Sequence, residues 1–358
     1  MRVRRSAATT ISAVCLAALA ACTGGAKPVV STSPLASESA SPSDTSPVPA
    51  SPTPSVSATT PAPVPPALHS LTGLPGTAGK PVIAVKIDNT PPGRPQYGLN
   101  AADIVYVEQV EGAATRLMAV FQSTLPTRVG PNRSGRESDL EILAAYGKVG
   151  FAFSGAQPRV LTLIRNAPVV SVDEDNGSFF FRDNSRYAPY NLYLNVAQLL
   201  RQRPQIATVK DNGLHFAATP APGGTPATAV TVPMSRDETI GFTYDPAGKR
   251  WLESQGGRAI FVAGGSRVWT TNVLIQEVTV VPSRFHDILG NNTPFSHSVG
   301  AGNFRVLRPD GTTATGTWYR HTKSSPTTYT LTGGTPLTIV PGRTWICLMP
   351  KGNHVTVK

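Results

Sequence analysis

From Lys27 to Pro66 the chain runs for 40 residues through Ser, Thr, Pro, Ala and Val almost without interruption, and no aromatic side chain falls within it. Such a stretch cannot bury enough apolar surface to offset the entropy of ordering it, so it predicts a tether and no folded layer. In a partly polyproline conformation it would reach up to roughly 120 Å at ~3.1 Å per residue, far enough to hold a domain off a surface. Folded structure is therefore expected from Leu71 onward. A hydrophobic content of 40% supplies a sizeable core there and excludes a wholly disordered chain. Lys and Arg outnumber Asp and Glu by 32 to 21, but charged residues make up only 15% and the excess is scattered, so no nucleic-acid partner is expected.

Upstream of the tether, the basic start Met1 to Arg5 and the apolar run Ala7 to Ala21 have the form of a secretory signal, too short to span a bilayer comfortably. The run ends Leu19-Ala20-Ala21-Cys22, which resembles a bacterial lipobox. The expectation is a signal peptide over residues 1–21 and lipidation at Cys22. A lipid there makes the membrane a partner, with the protein anchored on the extracytoplasmic face of the cell membrane. Cys15 leaves with the signal, and Cys347 remains as the one free thiol. An intramolecular disulfide and a multi-cysteine zinc site are then excluded. Within Thr344-Trp-Ile-Cys-Leu-Met349, Cys347 reads as a small buried hydrophobe.

The folded part predicts a mixed α/β class. An N-terminal α/β, sandwich-like domain is expected over residues 71–216 and a β-rich C-terminal domain over 236–358. Between them, 217–235 reads as a loop or boundary because Ala217 to Val232 is rich in Pro, Gly, Thr and Ala. Apolar runs at Pro81–Ile87, Asp103–Glu108, Arg116–Phe121 and Val149–Phe153 predict strands. Helical periodicity covers Glu137–Tyr146, Gln157–Arg165 and Leu192–Arg201. Farther on, Thr271–Val281, Phe304–Arg308 and segments around Tyr319, Tyr329, Ile339 and Ile346 read as strands, with a hairpin turn at Pro309–Thr312.

The stretch Gly130-Pro-Asn-Arg133-Ser134-Gly-Arg136-Glu137 carries the strongest hint of chemistry. Ser134 with Glu137 three residues later matches a capping box, which would set Arg133 and Arg136 beside a helix N-terminus and form a binding site for a phosphate or carboxylate. The alternative is a plain cap with the arginines paired to nearby carboxylates. Asp88, Glu108 and Glu111 cluster at strand ends and Arg116 opens a strand, where an open sheet lines its ligand crevice. Carboxylates so placed could serve as acid and base, or could simply form ion pairs.

Asp173-Glu-Asp-Asn-Gly177 has its glycine one place too early for an EF-hand and reads as a turn, while Phe179-Phe-Phe181 reads as core and pocket wall. No Gly-x-Ser-x-Gly or His-Glu-x-x-His occurs, no phosphate loop, and no histidine between Leu71 and Lys210. No cofactor and no metal site are therefore expected.

An ordered series of short motifs supports a family resemblance. Lys86-Ile-Asp-Asn89, Arg94-Pro-Gln96, Ala102-Asp-Ile-Val-Tyr106, Val110-Glu-Gly112, Thr115-Arg116, Gly130-Pro-x-Arg-Ser134 and Ala188-Pro-x-Asn-Leu192 resemble the YerB-like lipoproteins, known as domain of unknown function 3048. Asn272-Val-Leu-Ile-Gln276 and Pro341-Gly-x-Thr-Trp-Ile346 resemble that family's second domain. Gly135 stands where the pattern has Ala, and Tyr190 where it has His, which removes a candidate ligand or base at that spot. The resemblance implies an extracytoplasmic lipoprotein with an α/β domain followed by a β-rich one, and supplies no reaction.

Three functional readings follow. The first is a membrane-tethered protein binding an anionic or polar ligand, such as a cell-wall glycan, a phosphate-bearing polymer or an anionic small molecule, through Arg133, Ser134, Arg136, Arg116, Arg186 and Asn191. The second is a hydrolase of glycosidic or phosphodiester bonds using Asp88, Glu108 or Glu111. The third is a scaffold that recruits another envelope protein through the β edges of its C-terminal domain.

Overall fold

The computed structural model describes residues 68–76, 79–287 and 290–358. The signal peptide, Cys22 and nearly all of the tether expected over 22–70 lie outside the described residues.

Three strands open the fold: β1 (Ile83–Asp88), β2 (Ile104–Gln109) and β3 (Thr115–Phe121). Helix α1 (Glu137–Leu143) leads to β4 (Gly150–Phe153), and α2 (Pro158–Asn166) leads to β5 (Val170–Asp173). A short ribbon, β6 (Phe180–Arg182) against β7 (Leu192–Leu194), precedes α3 (Val196–Gln202). The expected helix over Leu192–Arg201 is therefore shorter, because Leu192–Leu194 is drawn into pairing with β6 and Asn195 caps the helix through the Gln198 amide.

An 11-stranded mixed sheet is the centre of the molecule. From one edge it runs Thr328–Leu331, Thr312–Arg320, Gly300–Leu307, Asn272–Val278, Thr344–Pro350, β2, β3, β1, β4 and β5, with the eleventh strand, Thr225–Pro226, paired to Thr312–Arg320 off this path. β2 pairs in parallel with Thr344–Pro350, Ile104 opposite Thr344 and Val107 opposite Cys347. Strands from the first and last thirds of the chain thus share one sheet, so the division expected between an α/β half and a β-rich half is not the division of the sheets. A six-stranded sheet built on Ala229–Pro233, Thr239–Asp245 and Arg250–Gln255 packs on one face. The strand Ala229–Pro233 lies in the segment read as a loop or boundary, where its alternate residues Val230 and Val232 enter the core. Ile339 is also buried but makes only an isolated bridge to Phe216 rather than a strand.

The central sheet is covered on both faces, which is why β1 is buried along its whole length. Ile83, Val85 and Ile87 join the core shared with the six-stranded sheet, and Ala84 joins a second core with α1 and α2 through Leu143, Val160 and Ile164. Cys347 is buried in the first core, as its sequence context implied. Of the aromatic triplet only Phe179 is fully buried, while Phe181 is 38% exposed.

Register places the polar residues. Asp88 and Glu108 both lie opposite Arg116, and Lys86 and Tyr106 both lie opposite Met118. Directly paired residues share a face, so Lys86, Asp88, Glu108 and Arg116 all project to the side that carries α1.

Candidate functional site

The chain leaving β3 returns along the ends of β1 and β4 and presents Arg133 to Arg136 at the start of α1. Its backbone is pinned there: the Arg133 amide donates to the Lys86 carbonyl at 3.0 Å, the Ser154 amide to the Arg133 carbonyl at 3.0 Å, and the Gly135 amide to the Gly155 carbonyl at 3.0 Å. A Cβ on Gly135 would come within 2.9 Å of Ile164 Cδ1, so the glycine lets α2 lie close against this turn.

The capping box is not the one the spacing suggested. α1 begins at Glu137 with Arg136 as its N-cap, and the Asp139 carboxylate accepts the Arg136 amide at 2.7 Å. Ser134 instead turns its carbonyl to Arg136 Nη1 at 3.2 Å and Arg116 Nη1 at 3.4 Å. Lys86 decides this. Its ammonium is fully buried, contacts Glu108, and donates to Asp139 Oδ1 at 2.8 Å, so Asp139 is held where it can cap. Burial pushes the Lys86 amine down to about 8 against the opposing pull of Asp139. A lysine in the middle of an otherwise apolar strand was the sequence signal for this cluster.

Above it opens a cleft of about 780 Å³ whose wall includes Glu111, Arg116, Arg133, Ser134, Arg136 and Gln157, closed on the far side by His286, Asp287 and Thr293. His286 and Thr293 belong to an antiparallel ribbon, Val280–His286 against Asn292–Ser296, that packs on α1, and Asp287 follows its first strand. The histidine missing between Leu71 and Lys210 is thus contributed by the second half of the chain, a placement no local pattern reveals.

The three arginines differ in what holds them. Arg133 Nε lies 2.8 Å from Asp88 Oδ2, and the other oxygen of Asp88 accepts the Thr90 amide and hydroxyl at 2.6 Å each. Arg136 grips Glu111 Oε2 through Nη2 at 2.7 Å and Nε at 3.1 Å, while Glu111 Oε1 accepts the Thr293 hydroxyl at 2.7 Å. Burial raises the Glu111 carboxyl, but the Arg136 hydrogen bonds and charge, with Thr293, more than offset this and hold it below the ordinary carboxylate range.

Arg116 has no carboxylate within ion-pair distance among the described residues, and its one hydrogen bond is the long contact to Ser134. Burial first, then the neighbouring charges of Arg136 and Arg133, bring its guanidinium down to about 9. Glu111 and Asp88 pull the other way, but each is paired with another arginine.

Other residues singled out by sequence lie elsewhere. Glu108 is 1% exposed and bound to Lys86, so it does not line the cleft. Arg186 donates to the carbonyls of Pro92 at 2.7 Å, Arg94 at 3.0 Å and Pro95 at 3.3 Å, and to the Tyr193 hydroxyl at 2.8 Å. Asn191 accepts from Arg182 at 3.0 Å and donates to the Arg186 carbonyl at 3.2 Å. Both fasten the loop of residues 183–191 rather than face the cleft.

Fold and cleft together define a mixed-sheet protein with an arginine-lined crevice at the ends of three adjacent strands. The chain belongs to the DUF3048 family: residues 71–208 match "Protein of unknown function (DUF3048) N-terminal domain" and residues 230–346 match the family's C-terminal domain. It is 27% identical over 277 residues to "Putative lipoprotein YerB" of Bacillus subtilis, covering 75% of this chain and 81% of the relative. The crystal structure of the Bacillus subtilis YerB protein superposes with a TM-score of 0.69 at 24% identity, over 81% of this chain and 99% of the other, which supports the fold.

Proposed function

We propose that this is a lipid-anchored envelope protein whose cleft binds an anionic group, the phosphate or carboxylate of a cell-wall polymer or of a small molecule derived from one. The lipobox at Cys22 and the lipoprotein name of the Bacillus relative support the anchor, and the long tether suits a site held out on the extracytoplasmic side. The observation that carries the binding reading is Arg116, a partly enclosed guanidinium beside two other arginines with no carboxylate within ion-pair distance among the described residues. Arg133 and Arg136, already steered by Asp88 and Glu111, supply further donors from the same wall, and Ser134 adds a hydroxyl beside them. An anion at Arg116 relieves both its desolvation and its repulsion by the neighbouring arginines.

The test is titration of the full chain with inorganic phosphate at low and high salt, comparing wild type with Arg116→Met. Wild type binds, binding weakens as salt rises, and the variant loses at least roughly tenfold in affinity, the scale of one charge-assisted hydrogen-bonded contact. Removing an uncompensated cation should also leave the ligand-free fold as stable as wild type or more so, the trade expected of a binding residue. Undiminished phosphate affinity in Arg116→Met would overturn the assignment. Cleavage chemistry is less well served: Glu108 is sealed under Lys86, and Asp88 and Glu111 are each tied to an arginine.

A further inference from the structure

Beside the cleft, the loop of residues 183–191 carries two tyrosines in contact, one in the open and one half-buried. Tyr187 is 68% exposed, and its ring meets that of Tyr190 edge to face with centroids 5.4 Å apart. Tyr190 in turn lies under the Arg133 guanidinium, whose carbon sits 5.5 Å from the ring centroid. Arg133 therefore belongs to both features: it lines the cleft and covers one ring of the pair.

The loop that carries these rings is well fastened. The four Arg186 hydrogen bonds tie it to the segment Pro92–Pro95 and to Tyr193. Asp183 accepts from the Ser185 amide at 2.8 Å and hydroxyl at 2.6 Å and pairs with Arg128. Tyr190 closes a turn by donating its amide to the Tyr187 carbonyl at 3.0 Å. A large ring kept in water on an otherwise anchored loop gains nothing for the fold, whereas it is a low-entropy contact surface for a ligand, since a tyrosine has only two side-chain torsions to lose.

We propose that the ligand is a sugar carrying the anion: a glycosyl phosphate unit, with its phosphate at Arg116 and Arg133 and its pyranose ring seated in the corner that the edge-to-face rings of Tyr190 and Tyr187 form. The proposal rests on the cleft being an anion site. The chemistry fits because a pyranose presents an apolar C–H face to an aromatic ring while its hydroxyls remain in water, and the phosphate on its anomeric carbon lies one bond from the ring. Arg133, shared by the two features, places those halves next to one another. Tyr190, between Arg133 and Tyr187, joins the phosphate end of the site to the exposed ring.

The experiment compares α-glucose 1-phosphate with glycerol 3-phosphate, a monoester of the same charge without a ring, by calorimetric titration of the full chain and of Tyr187→Ala, Tyr190→Ala, Tyr190→Phe and Arg116→Met. Wild type should prefer the sugar ester by roughly tenfold. Tyr187→Ala and Tyr190→Ala should each shrink that preference while leaving glycerol 3-phosphate affinity within about twofold, and Tyr190→Phe should retain it because stacking needs the ring and not the hydroxyl. Tyr187 is exposed, so its alanine variant tests the platform without a folding penalty. Equal affinity for the two esters, both still dependent on Arg116, overturns the platform and leaves the anion site standing. Failure of both esters to bind overturns the anion site and the platform with it.

Discussion

Replacing Lys86 by Met should be among the most damaging single changes in this protein, and its cost can be reasoned from the contacts. Glu108 is 1% exposed and Asp139 0%, and Lys86 is the cation that both of them touch. Methionine fills nearly the same volume, so no large cavity opens, and the loss is electrostatic. Two buried carboxylates lose their counter-charge, for which a cost of about 3–5 kcal/mol is typical. Asp139 keeps one partner, the Arg136 amide at 2.7 Å, while Glu108 keeps none, so Glu108 accounts for most of the loss. At roughly 2 °C per kcal/mol for a folded unit of this size, the melting temperature should fall by about 6–10 °C. Urea denaturation of the full chain supplies the free energy, with an unchanged slope showing that the folded state is otherwise intact. Adding Glu108→Gln to Lys86→Met removes the stranded charge and should recover about 2 kcal/mol, a coupling that only neighbours show. A single-variant loss under about 1 kcal/mol, or a double variant no more stable than the single, would refute the reasoning.

Two further expectations concern the core on the other side of the sheet. Burial raises the Glu253 carboxyl from its ordinary 4.5 to about 8, so the folded state holds a proton there that the unfolded chain has released. Its contribution to stability is full below pH about 4.5 and is lost as pH rises to about 8, a fall of up to a few kcal/mol that Glu253→Gln should flatten in a pH series of melting temperatures. Cys347 is fully buried and its thiol is pushed well up by that burial, so a thiol-reactive dye should label it only after denaturant is added; rapid labelling of the folded chain would count against its place in the core.

Much of the architecture was legible from local pattern. The expected strands at Pro81–Ile87, Asp103–Glu108, Arg116–Phe121 and Val149–Phe153 are displaced by only a residue or two from β1, β2, β3 and β4, and α1 and α2 begin within a residue of expectation. Runs of buried β-branched residues and helical spacing carry their own signal because the interactions that read them are local or face-wide. Leu192–Leu194 was misread because its apolar residues suit either period, and pairing with β6 decides between them. Ala229–Pro233 is hidden by the Pro-, Gly-, Thr- and Ala-rich run around it, yet it pairs on both sides, with Thr239–Asp245 and with Thr356–Val357.

The candidate site divides in the same way. That Arg133, Arg136, Arg116 and the carboxylates Asp88 and Glu111 gather near the strand ends follows from their positions in the chain; four of them line one cleft, and Asp88 lies buried behind Arg133. Which arginine is left without a partner does not follow. Arg116 lies opposite both Asp88 and Glu108 in the sheet, and the pattern alone would pair it with either. Asp88 goes to Arg133 and Glu108 to Lys86 because the folded chain brings those cations nearer, across separations that no spacing rule spans. Composition and periodicity determined the elements and the residues available for chemistry, both of which depend on near neighbours and on bulk apolar content. The tertiary structure alone decided which charges cancel, and therefore which arginine is left without a carboxylate among the described residues, because buried ion pairs form by proximity in space within a medium too poorly polarisable to leave more than one choice cheap.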